Sequence, residues 1–280
     1  MVRNQRNNPI AIGGVGGSGT RLIAAIVKSL GYYIGSDLNQ ANDNLWFTLF
    51  FVRRTLFPNL HNRAEIDECI RIFSSVLSGR ETLSKVDLDF IDSLAVHDRT
   101  RLPAYWLQKR VDTFEKASRS THNRVWAWKE PNTHIFMEQF LRSNPSLRYI
   151  HVMRNGLDMA YSRNQNQLFR WGAKLLGQDI AATPSASLKY WCAVHRRIQN
   201  LMQRFEDRIM LLNFDRLCLA PEQELPKLLN FLNTTCSLSQ TVQLRTLIGR
   251  PSSMGRYRQY GLSGFETCDL QTLSEFGFTY

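Results

Sequence analysis

Residues Gly13 to Arg21 read GGVGGSGTR, which places five glycines and two hydroxyls in nine positions directly after the apolar Ile10-Ala11-Ile12. No other stretch constrains the fold as strongly. Pro9 to Gly13 reads as a short buried strand, and Leu22, Ile23, Ile26, Val27 and Leu30 recur at helical spacing until Gly31 ends the helix. The unit is strand, glycine turn, helix. A turn of this kind lies beyond the carboxyl end of a strand, where open α/β sheets bind ligands. Its backbone N–H groups and the helix N-terminus form a nest for an anion.

Strand character returns at Arg124-Val125-Trp126-Ala127-Trp128, and Pro131 suits the first turn of a helix containing Ile135, Phe136, Gln139 and Phe140. Leu147 to Met153 reads as a third strand, Arg154-Asn155-Gly156 as a turn, and Leu157 to Gln167 as a helix. Leu188 to Phe205 is predicted helical, and Ile209 to Phe214 is a continuous apolar strand. Alternation of strands and helices predicts an α/β fold, a mainly parallel sheet covered by helices and P-loop-like at its first turn. Residues from about 36 to 124 show helical rather than strand patterns and are expected to form a helical insertion, the natural place for an acceptor pocket. A chain of 280 residues that is 43% hydrophobic can bury a substantial core, which excludes disorder. Without repeats or a convincing linker, a single domain over 1–280 is expected.

The glycine loop departs from an ATP-binding one. In the pattern G-x-x-x-x-G-K-[ST], the lysine reaches the terminal phosphates and the next hydroxyl binds magnesium. Gly14 and Gly19 keep the spacing, but Thr20 stands at the lysine position and Arg21 at the hydroxyl position. The anion nest survives without the parts that serve a γ-phosphate and its metal. Lys and Arg exceed Asp and Glu by 35 to 24, a formal charge of +11, so phosphorylated small molecules or polyanions suit the chain as partners. Five widely spaced cysteines show neither a disulfide framework nor a zinc spacing. With no apolar run of the roughly 18 residues a membrane span needs, and no evident address signal, the expectation is a soluble, cytoplasmic protein without a bound metal.

A second anion site is written in YIHVMRNGLDMAYSRNQ, Tyr149 to Gln165, where Arg154 ends a strand and Ser162 is expected about two turns into the following helix. A guanidinium fork and a hydroxyl there suit one phosphate. Taken together, the two segments resemble the sulfotransferases that use 3′-phosphoadenosine 5′-phosphosulfate (PAPS). Gly14 to Leu22 is similar to their 5′-phosphosulfate loop, and Val152 to Ser162 to their 3′-phosphate motif. LLNFDRLCLAPEQELPKLLNFL resembles a late strand, acidic turn and proline-led helix of that family. SSMGRYR, Ser252 to Arg258, resembles its nucleotide loop near the C-terminus. The resemblance leaves residues from about 45 to 120 unexplained. It implies PAPS as co-substrate, with Gly16, Gly17, Ser18, Gly19, Thr20, Arg21, Arg154, Ser162 and Arg256 holding it, and no metal. Many members carry a basic residue where this chain has Gly17; Arg21 or Lys129 is the candidate to restore that charge.

Sulfuryl transfer needs in-line placement, stabilisation of charge on the transferring and leaving oxygens, and a base for the incoming hydroxyl or amine. WAWKEPNTH, Trp126 to His134, resembles the Lys-x-Pro segment of the family, and on that resemblance Lys129 is expected to face the transferring group. Family members often place a carboxylate after the first helix. GSDLNQANDNLWF offers Asp37 and Asp43 there, with Asp43 preferred as base, Glu130 second and His134 third. Each has a structural alternative: Asp43 as a helix N-cap, Lys129 and Glu130 as a solvated pair, His134 as a surface residue. His61, His97, His122, His151 and His195 are left structural. LWFTLFFVRRTLF, Leu45 to Phe57, with Arg53 and Arg54 inside it, suits an acceptor lining or, more often for such stripes, core. The acceptor class stays open among small molecules, carbohydrates and lipids, with no nucleic acid partner expected. Two other readings stand beside this one: a P-loop small-molecule kinase using ATP, and a basic polyanion-binding module, for which the short cluster Arg196-Arg197 is thin support.

Overall fold

The computed structural model describes residues 8–52, 57–59, 61–96, 102–120, 124–177 and 180–280. Arg53, Arg54, His97 and His122 lie outside them. Four strands, β1 (Ile10–Gly14), β2 (Ala127–Lys129), β3 (Arg148–Met153) and β4 (Ile209–Asn213), form an all-parallel sheet in the order β2-β1-β3-β4. Every residue of β1 is buried, as expected of a parallel strand covered on both faces. By contact density the chain divides into two units: residues 1–13 with 21–149, and residues 14–20 with 150–280.

In the first unit, β1 and β2 pair with Ile10 opposite Ala127 and Ile12 opposite Lys129. Helix α1 (Thr20–Ser29) ends at Gly31, whose φ of 88° admits the left-handed turn. The insertion is helical: α2 (Leu45–Phe47) runs into a π-helical turn over Thr48–Val52, followed by α3 (Arg63–Ser78), α4 (Lys85–Val96) and α5 (Ala104–Ser118). Helix α6 (Thr133–Ser143) follows β2, beginning two residues later than Pro131. The aromatic run is core. Phe47 packs against Phe51, Phe73, Trp128, Phe136 and Phe140 at centroid distances of 4.7–6.5 Å, and all six rings are at most 1% exposed.

In the second unit, the helix expected over Leu157–Gln167 is interrupted. Helix α7 (Gly156–Ala160), capped by Asn155 Oδ1 accepting from Leu157 N, stops after five residues, and α8 (Asn166–Leu176) starts anew. Between them, side chains take over backbone partners: Gln165 Nε2 donates to the carbonyls of Met159 (3.0 Å) and Ser162 (2.8 Å), and Ser162 Oγ accepts from Asn164 N. Local bonds of this type compete with the helical ladder, so Ser162 sits in an irregular turn rather than two turns into a helix. Helix α9 (Pro184–Met202) begins four residues earlier than the sequence suggests, where Thr183 Oγ1 accepts from Ala186 N and Pro184 occupies the first turn. Four helices follow β4: α10 (Phe214–Leu219), α11 (Pro221–Phe231), α12 (Leu238–Leu247) and α13 (Thr267–Glu275). Among the described residues no helix is long and apolar enough to cross a membrane.

Candidate active site

The glycine loop, the Arg154 turn and the C-terminal loop at residues 252–258 all belong to the second unit, and they converge. Arg154 Nη2 donates to Ser253 Oγ at 2.8 Å and Nη1 to Gly17 O at 3.5 Å, while its Nε lies 4.0 Å from Asp215 Oδ1. Among the described residues Arg154 makes no ion pair with Asp158, four positions along the chain. Asp158 instead accepts from the N–H groups of Gly255 (2.7 Å) and Tyr257 (3.2 Å), fixing the 252–258 loop, and Arg256 Nη1 donates to Tyr161 O at 3.2 Å. Ser162 Oγ faces Gly17: a Cβ built there would meet only this atom, at 3.9 Å.

Within the glycine loop, Ser18 and Thr20 are buried, and Ser18 Oγ finds no hydrogen-bond partner among the described residues. An orphaned buried hydroxyl is costly unless a ligand satisfies it, and in a nest of backbone N–H groups the fitting ligand is a phosphate-type anion. Gly19 is demanded by space as well as conformation: at φ 97° a Cβ would lie 2.2 Å from the Phe214 ring. Gly17, at φ 93°, is a strained place for any basic side chain. Arg21, one of the two candidates to restore that charge, is exposed on the first turn of α1.

Asp43, Lys129, Glu130 and His134 belong to the first unit. Register places Lys129 at the carboxyl end of β2, where Glu130 N donates to Ile12 O. Lys129, 3% exposed at its side chain, is ion-paired with Asp43 and donates to Ala41 O at 3.1 Å. The other Asp43 oxygen accepts from Asn39 Nδ2 at 2.7 Å. The N-cap of α2 is Asn44, not Asp43. Glu130 is buried rather than solvated, and both its oxygens accept from Asn132. Burial, reinforced by the nearby Asp43 charge, pushes its carboxyl up to about 7, against the opposing bonds from Asn132 and the Lys129 charge. His134 is fully buried in α6, not on the surface. Asp37, the other carboxylate in the segment after α1, forms a buried ion pair with Arg110 and accepts from Thr113 Oγ1. His151 and His195 are buried with ring centroids 5.0 Å apart, and burial lowers His195 to about 4, in keeping with structural roles.

Ser253, which accepts from Arg154, and Asp215, which accepts from Asn155 N, were not singled out from the sequence, and neither was the role of Asp158 in holding the 252–258 loop. All three lie within quoted motifs, yet nothing in a motif says which acidic residue an amide will find. Asn39 also escaped notice, although NQAND is a plausible side-chain-to-backbone turn: its Oδ1 accepts from Ala41 N and Asp43 N.

Residues 9–237 match the model of the sulfotransferase family, and the chain belongs to that family. Among solved structures it is similar to the sulfotransferase domain of the olefin synthase from Synechococcus PCC 7002, at 15% identity, TM-score 0.53, with 98% of this chain and 96% of that one covered. It is also similar to the sulfotransferase STF9 of Mycobacterium avium, at 13% identity, TM-score 0.51, covering 96% and 76%. At these identities the likeness concerns the fold. No curated protein matches in sequence.

Proposed function

We propose that the protein transfers a sulfuryl group from PAPS to a hydroxyl or amine of a small molecule, carbohydrate or lipid. The observation that carries this reading is Arg154, whose guanidinium reaches both Gly17 of the glycine loop and Ser253 of the 252–258 loop, together with the buried Ser18 hydroxyl, which has no partner among the described residues. An ATP enzyme has no use for a second phosphate site of this kind. In this reading Gly16 to Thr20 hold the 5′-phosphosulfate, and Arg154, Ser162 and Arg256 hold the 3′-phosphate. When bound, the donor supplies a sulfuryl group activated by its link to the 5′-phosphate. The loop N–H groups and the Ser18 and Thr20 hydroxyls take up the charge that builds on the leaving oxygen. Isothermal calorimetry with 3′-phosphoadenosine 5′-phosphate (PAP) against ATP tests the assignment. Binding of PAP at least tenfold tighter than ATP, without magnesium, is expected; equal affinities, or no PAP binding, would overturn it.

For the acceptor half, the proposed base is Asp43, oriented by Asn39 and Lys129. It takes the acceptor proton as the acceptor oxygen or nitrogen bonds to sulfur and the bond from sulfur to the 5′-phosphate oxygen breaks, releasing PAP, while Lys129 stabilises the transferring oxygens. Glu130 is the second reading, favoured by a carboxyl tuned to about 7, near the optimum for a general base. Asp43→Asn should lower transfer to a panel of hydroxyl and amine acceptors by about 10²-fold and leave PAP affinity largely intact. Loss of an acidic limb near pH 7 in Glu130→Gln, with Asp43→Asn still active, would move the role to Glu130.

A further inference from the structure

Asp37 and Arg110 form an ion pair that is 9% and 6% exposed at its side chains. Taking both charges out of water costs several kcal/mol, and well-packed apolar residues are commonly as stable or more so, so stability alone gives little reason for the pair. Its location gives another. The carbonyl of Asp37 accepts from Leu45 N at 2.9 Å, Leu38 bridges Asn44, and Asn44 N donates to the Lys129 carbonyl at 2.7 Å. These bonds close a loop that contains Asp43 and Ala41, the two partners of the Lys129 ammonium.

The loop is anchored from the insertion. Arg110 and Thr113 on α5 hold the Asp37 carboxylate, Thr113 Oγ1 donating at 2.8 Å. Thr113 Oγ1 also accepts from Trp46 Nε1 at 3.0 Å, so residues on both sides of Asp43 are tied to one turn of α5. Arg110 is backed by the Trp106 ring, 4.7 Å from its guanidinium carbon.

We propose that Arg110, Thr113 and Asp37 are positioning residues, which hold the 37–45 loop so that Asp43 stays engaged with Lys129. The role rests on the reading of Asp43 and Lys129 as transfer machinery. The double substitution D37L/R110M removes both charges together and avoids leaving one buried and unpaired. Its readout is the rate of Lys129 acylation by a pulse of acetic anhydride, followed by mass spectrometry, with melting temperature and PAP affinity measured alongside. Expected are a melting temperature equal to or above wild type, unchanged PAP affinity, and Lys129 acylation at least tenfold faster as its carboxylate partner drifts away. Acylation at the wild-type rate in the folded variant would overturn the proposal. Should D37L/R110M fail to fold, Thr113→Val keeps shape and both charges, and a two- to fivefold increase in labelling is expected, no change being the contrary result. Failure of the wild-type protein to bind PAP would instead count against the sulfuryl-transfer reading, whatever Lys129 does.

Discussion

At the residue scale, Glu130 shows how burial couples the ionisation of one side chain to the stability of the fold. Its carboxyl is fully enclosed beside the Asp43 carboxylate and is shifted from an ordinary 4.5 to about 7, so between those values the folded chain keeps a proton that the unfolded chain has released. The folded state then binds more protons, and stability falls as pH rises. The contribution is fully present below about 4.5 and lost above about 7, and a shift of this size corresponds to roughly 3 kcal/mol. Glu130→Gln removes the titration while the amide can still bond to Asn132. Urea unfolding at pH 5 and pH 8 should therefore show a steeper loss of stability for the wild type than for the variant. Parallel losses in the two proteins would mean that Glu130 does not carry this proton.

At the element scale, what was legible in the sequence is what a single period or a single turn encodes. β1, the glycine loop and α1 could be read because an apolar run, five glycines and a helical repeat follow one another without a break. The aromatic run after Asn44 announced burial but not its partners. In the fold, Phe47 touches rings from the π-helical turn, α3, β2 and α6, residues up to 93 positions away. Phe47→Ala, which opens a cavity in that cluster, should cost about 3–5 kcal/mol; a loss under 1 kcal/mol in chemical denaturation would show that the insertion folds without it. Other features were hidden because no periodicity writes them. The break at Tyr161 to Gln165 is decided by side chains competing for carbonyls, and the hold of α5 on Asp37 joins residues 76 apart. Thus the glycine loop and the Arg154 segment were visible before the fold, while the surroundings of Asp43 were not.

At the scale of the whole molecule, the division into two units falls within regular elements: β1 changes unit after Gly13, α1 after Thr20 and β3 after Tyr149. Each of these elements keeps residues in both units, and unfolding one unit alone would leave part of an element without its hydrogen-bonded backbone partners, so the two units are expected to melt in a single transition. Ligand linkage makes this measurable. A ligand that binds only the folded state at 100 times its dissociation constant adds about 2.7 kcal/mol, which for a chain of this size raises the melting temperature by roughly 5–10 °C. PAP at that excess should move the whole transition by this amount, and ATP at the same concentration should move it by less. Arg154→Ala should abolish most of the PAP shift, because the charge-assisted phosphate contact proposed for it is worth a few kcal/mol, about a hundredfold in affinity. Differential scanning calorimetry separates the outcomes. Two peaks, only one of them displaced by PAP, would show that cooperativity stops at the unit boundary, and an undiminished shift in Arg154→Ala would remove that arginine from the donor site.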